Sequence, residues 1–179
     1  GMQAIILMSM MSCENLFVSP KDLRKKARKQ HELFLDQTGD HITLIHVFEE
    51  YMKVNDKHKF CIKNFLSQKA LEYASKVKDQ LTEVANSLNL CIEEDEKDEG
   101  RYDRLRECLT ETLHENVAKL IVSGKYQCIE DRTEIYIHPS SFAFNKSLEY
   151  IVFSERVMTK KLYARWVSEA DPSTINTEL

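Results

Sequence analysis

Apolar residues recur every three or four positions through the first two thirds of the chain, and every second position after that. Leu44, Ile45, Phe48, Tyr51 and Met52 mark one face of a helix, with Thr43, His46, Glu50 and Lys53 on the other. Asp40 stands at the N-cap position, where a carboxylate can accept from the amides that follow, and Gly39 permits a sharp turn into the helix. The period resumes at Phe60-Cys61 and Phe65-Leu66. Tyr73, Ala74, Val77, Leu81, Val84, Ala85 and Leu88 then form a long stripe predicted to face a core.

Upstream, Ala4 to Phe17 reads as a short apolar helix. Val18-Ser19-Pro20 closes it, because proline moves the residue before it out of the α region. Leu23, Ala27 and Phe34 give a thin apolar stripe to the segment that follows. Tyr102, Leu105, Cys108, Leu109, Leu113, Val117 and Leu120 predict a last helix. From Ile121 the pattern alternates: Lys125–Ile129, Glu134–His138, Tyr150–Met158 and Leu162–Val167 read as strands rich in Tyr, Ile, Val and Phe. Short strands so closely spaced suggest a small barrel rather than a sandwich. The expected fold is α+β, with a helical domain over 4–120, a barrel over 121–172 and a tail over 173–179.

Composition changes this picture little. The chain has 179 residues, of which 42% are hydrophobic and 30% charged, enough for one domain or two small ones with a real core. Four glycines and three prolines favour helices over a turn-rich β design. No apolar run approaches the roughly 20 residues that span a bilayer, so no membrane partner is expected. Ala4–Met8 has neither the basic flank nor the cleavage site of a signal peptide. The five cysteines are odd in number and widely spaced, which fits buried thiols in a reducing compartment.

Charge is uneven. Lys21 to His31 holds six Lys/Arg against Asp22, a local net of +5, read as a solvated helix face with an RNA-facing patch as the alternative. Glu93 to Glu99 holds six acids against one lysine and is read as a surface loop, or alternatively as an acidic docking segment. The overall net charge of −4 argues against a freestanding basic nucleic-acid binder. The six histidines show no metal-ligand spacing, and Ser140 and Ser141 lack a nucleophile elbow. Neither metal ligands nor catalytic residues are predicted. With glycines only at 1, 39, 100 and 124 no phosphate-cradling P-loop can be built, so no nucleotide hydrolysis is expected of this stretch. Trp166 is expected in the barrel core, with a base-stacking platform as the alternative.

Several motifs, in order, resemble the C-terminal region of the DEAH-box RNA helicases. Gly39-Asp40-His41-Ile42-Thr43-Leu44 with Val47-Phe48 resembles the G-D-H-[LI]-T-L-L-N-V-[YF] run of their ratchet domain. Phe60-Cys61-Ile62-Lys63-Asn64-Phe65-Leu66 and Ala70-Leu71 resemble W-C-x-E-N-F-[LI] … A-L, with Phe60 for Trp and Lys63 for Glu. Asn116-Val117-Ala118 survives from a longer motif whose preceding S-G-[FY]-F is replaced here by other residues. Tyr136-Ile137-His138-Pro139-Ser140-Ser141 resembles the H-[LI]-H-P-S-S hallmark of the family's OB-fold. Glu149–Glu155 resembles its E-W-V-[VI]-[YF]-H-E strand, with Tyr150 for Trp and Ser154 for His. Val157-Met158-Thr159-Lys160-Lys161-Leu162-Tyr163-Ala164-Arg165 resembles V-L-T-T-K-x-Y-[MA]-R, and Asp171-Pro172 sits where the family has D-P-x-W-L.

The resemblance implies a helical ratchet-like domain and an OB-fold that together form one wall of a single-stranded RNA channel, beside motor domains that use ATP and magnesium. The candidate RNA contacts it implies are His138, Ser140, Ser141, Thr159, Lys160, Lys161 and Arg165. It also implies partners (single-stranded RNA, the motor domains, a G-patch activator protein), a role in mRNA processing such as splicing, and a nuclear location, with a cytoplasmic one as the alternative. The competing expectation is a protein-interaction platform with little RNA affinity of its own.

Overall fold

The computed structural model describes residues 1–92 and 100–175. The acidic run at 93–99 and the last residues of the tail therefore lie outside the described residues. The chain forms two compact units: Gly1–Leu35 with Ile42–Asp98, and Asp36–His41 with Glu99–Leu179.

The first unit holds helices α1 (Met2–Met11), α2 (Arg24–His31), most of α3 (Asp40–Lys53), α4 (Lys57–Asn64) and α5 (Gln68–Ser87). Asp56 and Ser67 cap α4 and α5 by accepting from Lys59 N–H and Ala70 N–H. The W-C-x-E-N-F-[LI]-like segment has a specific structural job. Phe65 takes a left-handed conformation (φ 54°) that ends α4, and its carbonyl accepts from Val18 N–H at 2.9 Å and meets His31 Nε2 at 3.0 Å. Phe60, in place of Trp, keeps an aromatic cluster with Phe34 and Tyr51, at ring separations of 6.0 and 6.2 Å.

Two expectations fail on burial. Along α3, Thr43 is fully buried whereas Met52 is 48% exposed, because nearly every side of the helix's first half is enclosed. Along α5 the stripe is buried only in part: Ala74 and Ala85 are covered, but Tyr73, Val84 and Leu88 are exposed. The six cations of 21–29 are all exposed, as a solvated face requires, while Ala27 is fully buried.

The second unit contains α6 (Arg101–Thr112) and strands β1 (Val117–Val122), β2 (Lys125–Cys128), β3 (Glu134–Ile137), β4 (Tyr150–Met158) and β5 (Leu162–Glu169). The strands close into a barrel in the order β1-β2-β3-β5-β4, with β3 and β5 parallel and the remaining pairs antiparallel. This is an α+β chain whose barrel is consistent with an OB fold. Tyr126, Ile135, Ile151, Phe153, Ala164 and Val167 fill the barrel interior.

The compact units divide differently from the expected break at 120/121. Val117 to Leu120 belong to a strand rather than to the end of a helix, since Val117, Ala118 and Lys119 pair with Val152, Ile151 and Tyr150. Their apolar spacing fits either structure, and pairing with β4 decides. Trp166 also departs from expectation: it is half-buried, with φ 54°, and lies outside the barrel's interior cluster. Of the thiols, Cys13, Cys61 and Cys128 are buried as expected, while Cys91 and Cys108 are exposed.

Candidate functional site

The site is assembled around the segment Asp36–His41, which belongs to the barrel unit although α3 continues into the helical one. Gly39, at φ 132°, bridges to Ser168 of β5; a Cβ there would meet the Val167 carbonyl oxygen and would lie 2.7 Å from Ser168 Cα. Only a residue without a Cβ lets the backbone come so close.

That approach delivers Asp40 and His41 to the barrel wall. Asp40 Oδ1 accepts from Phe142 N–H at 2.8 Å and Oδ2 from Val167 N–H at 2.7 Å, and the Ser141 hydroxyl also bonds to the carboxylate. The carboxylate thus accepts from amides of the barrel, where the N-cap reading expected it to accept from those of its own helix. Burial raises its pKa, opposed by the Ser141, Val167 and Phe142 donors and by the Lys146 charge. Lys146 itself donates to the carbonyls of Asp36 and Gln37.

His41 is fully enclosed, with Nδ1 2.8 Å from Ser168 Oγ and Nε2 2.9 Å from Ser154 Oγ. Ser168 Oγ also accepts from His41 N–H, at 3.1 Å. Each ring nitrogen thus meets a serine hydroxyl inside the barrel unit. Burial lowers the imidazole pKa to about 4, so the ring is neutral at neutral pH. Ser154, which stands where the DEAH-box pattern carries His, is thus the partner of the G-D-H histidine.

The seven predicted residues distribute unevenly over this frame. Ser141 is buried, with its hydroxyl engaged by Asp40 and by Ala143 N–H. Ser140 is exposed, and its N–H and hydroxyl both lie against His138 Nδ1, at 3.1 and 2.7 Å. His138 is half-buried; burial, and then the Arg165 charge, hold its pKa below the usual imidazole value. Thr159, Lys160 and Lys161 form the exposed turn between β4 and β5, closed by Thr159 N–H donating to the Lys161 carbonyl at 3.0 Å. Arg165 projects from β5, 3.4 Å from Glu155 and with its guanidinium 5.8 Å from the Trp166 ring centroid.

Three of these groups, His138, Lys161 and Arg165, converge on the outer face of the β3–β5 pair, together with two tyrosines that sequence reasoning did not single out. Lys125, Tyr136 and Tyr163 are consecutive cross-strand partners. The Tyr136 and Tyr163 rings lie 6.3 Å apart, and His138 meets Tyr163 edge-on at 5.6 Å. Lys161 Nζ sits 4.1 Å above the Tyr136 ring. The signal was present as period two: Tyr136 and His138, and likewise Tyr163 and Arg165, alternate with the buried Ile137 and Ala164. The basic run Lys21–Lys29 belongs to the other unit.

Comparison with known proteins gives two matches to family models. Residues 2–44 match a helicase associated domain (HA2), ratchet-like, and residues 105–177 match an oligonucleotide/oligosaccharide-binding (OB)-fold. The chain is 29% identical over 167 residues to the probable ATP-dependent RNA helicase DHX35 of Homo sapiens, covering 93% of this chain and 23% of that protein. It is 32% identical over 168 residues to the ATP-dependent RNA helicase DHX33 of Drosophila melanogaster, covering 93% of this chain and 24% of that protein. The mouse DHX33 is 24% identical over 185 residues, covering 99% of this chain and 26% of that protein. The chain spans about a quarter of the length of the curated relatives it matches.

Proposed function

We propose a function from the premise that this chain corresponds to the C-terminal region of a DEAH-box RNA helicase: it forms one wall of a single-stranded RNA channel and grips the strand while ATP-driven motor domains step along it. The observation that carries this reading is the turn between β4 and β5. OB barrels take oligonucleotides on the face of strands 2 and 3 and on the loops joining strands 1–2 and 4–5. Here the latter loop is Thr159-Lys160-Lys161, exposed and leading into the strand that carries Arg165.

A backbone grip by lysines is insensitive to sequence. The chain binds single-stranded RNA weakly, with the logarithmic affinity falling by about 0.7 for each tenfold rise in salt per neutralised phosphate. His138 and Ser140 border the same face and supply polar contacts, while Ser141 acts from inside by holding the turn. Fluorescence anisotropy at two salt concentrations, on wild type and on Lys160→Glu with Lys161→Glu, tests the reading. The double variant is expected to lose binding and salt dependence together while keeping its fold.

A second reading, a docking platform for a protein such as a G-patch activator, is favoured by the net charge of −4. It prevails if wild type shows no RNA binding at low salt while a G-patch peptide binds.

A further inference from the structure

Lys161 carries out two incompatible contacts in the RNA-gripping role. As a phosphate ligand its ammonium must reach outward, yet in the free chain it lies 4.1 Å over the Tyr136 ring. We infer that the Tyr136 ring, with Tyr163 and His138 beside it, is a base-stacking subsite that Lys161 covers in the RNA-free protein and vacates when a nucleobase takes its place. This rests on the RNA reading above and adds a base-contacting element to it.

Three observations support the exchange. The rings share one outer face: Tyr136 and Tyr163 are cross-strand partners with centroids 6.3 Å apart, and His138 stands edge-on to Tyr163 at 5.6 Å. All three are half-buried, anchored at the strand yet open to solvent on one side. The covering group is the end of a flexible side chain on an exposed turn and can swing aside without backbone movement.

The magnitudes favour the base. An ammonium over an exposed ring stabilises that arrangement by about two- to fivefold. A base stacked on an aromatic side chain is worth about five- to a hundredfold. The displaced ammonium also gains a phosphate of the same nucleotide strand, so the lost cation–π contact is replaced by an ionic one. Lys125 Nζ, one strand further on, is held by Glu134 at 2.6 Å, which leaves Lys161 as the cation released by stacking.

Two signatures separate stacking from phosphate grip. With a short fluorescein-labelled oligouridylate, Tyr136→Ala is expected to weaken binding about fivefold or more with the salt slope unchanged, whereas Tyr136→Phe, which keeps the ring, binds like wild type. Lys161→Gln is expected to lower the salt slope by about 0.7. An oligonucleotide of the same length lacking bases is expected to lose no affinity on Tyr136→Ala, and to gain up to about fivefold because Lys161 is no longer held over the ring. Circular dichroism and thermal melting of each variant confirm that the barrel is intact, and Tyr163→Ala offers a second route should Tyr136→Ala fail to fold. If the baseless strand binds wild type as tightly as the oligouridylate, stacking is overturned and the phosphate grip stands. If wild type binds neither strand at low salt, both readings fall.

Discussion

Phe142 N–H donates to Asp40 Oδ1 at 2.8 Å across 102 residues of sequence, joining the start of α3 to the turn that follows His138-Pro139-Ser140-Ser141. With Val167 N–H on the other oxygen, one buried carboxylate fixes both the β3 exit and the middle of β5.

Asp40→Ala removes the acceptor of two backbone N–H groups, each costing about 1–3 kcal/mol when left unmade in the interior. A loss of roughly 3 kcal/mol is expected in chemical denaturation. Asp40→Asn can accept from only one of the two donors and should fall between wild type and alanine. An alanine variant as stable as wild type would show that the carboxylate has no structural role.

Gly39→Ala and Gly124→Ala make a matched pair. Both glycines have positive φ, but a Cβ at Gly39 collides with the β5 backbone while one at Gly124 meets nothing within 4 Å. The first substitution is expected to cost more than about 2 kcal/mol and the second about 1 kcal/mol. Equal melting temperatures for the two variants would contradict the close approach at Gly39.

His41 makes stability pH-dependent. Its folded pKa of about 4 lies below the roughly 6.5 of an unfolded histidine, so the unfolded chain binds the proton first. The contribution is full above pH ~6.5 and is lost as pH falls towards 4, up to roughly 3 kcal/mol in all. The raised pKa of Asp40 acts in the opposite sense in the carboxylate range, because its folded form takes up a proton more readily. In NMR, the His41 ring resonances should stay unshifted from pH 8 to 5; titration near 6.5 would refute the enclosed, neutral ring.

Arg156 ties two other segments of the barrel unit, 115–116 and the turn at Asp131, to β4. Nε donates to Asn116 Oδ1 at 3.1 Å, Nη1 to Asp131 Oδ2 at 2.6 Å and Nη2 to the Glu115 carbonyl at 2.7 Å. The Arg156 bond, followed by Thr133 N–H, lowers the Asp131 pKa to about 2. The pair's contribution is present above pH ~4 and disappears as pH falls through about 2. Arg156→Ala should return the Asp131 carboxyl towards ~4 by NMR titration, with only about 1 kcal/mol of destabilisation because the pair is solvent-screened.

The sequence alone was enough for the helix-to-strand order, the α+β class and the barrel, because periods of three to four and of two are local properties of where apolar side chains must point. Its motifs also placed Asp40, His41, His138 and Ser141 among residues of consequence. It could not assign their work. The Asp40 bonds and the inward turn of Ser141 join residues about a hundred positions apart, and no local pattern encodes which amide a carboxylate will meet. Val117 to Leu120 read equally well as helix or strand until β4 supplied a partner. Tyr136 and Tyr163 looked like ordinary strand residues, since alternation gives a side chain's face but not its neighbour. Only barrel closure, which sets β3 parallel to β5, puts the two rings side by side beneath Lys161.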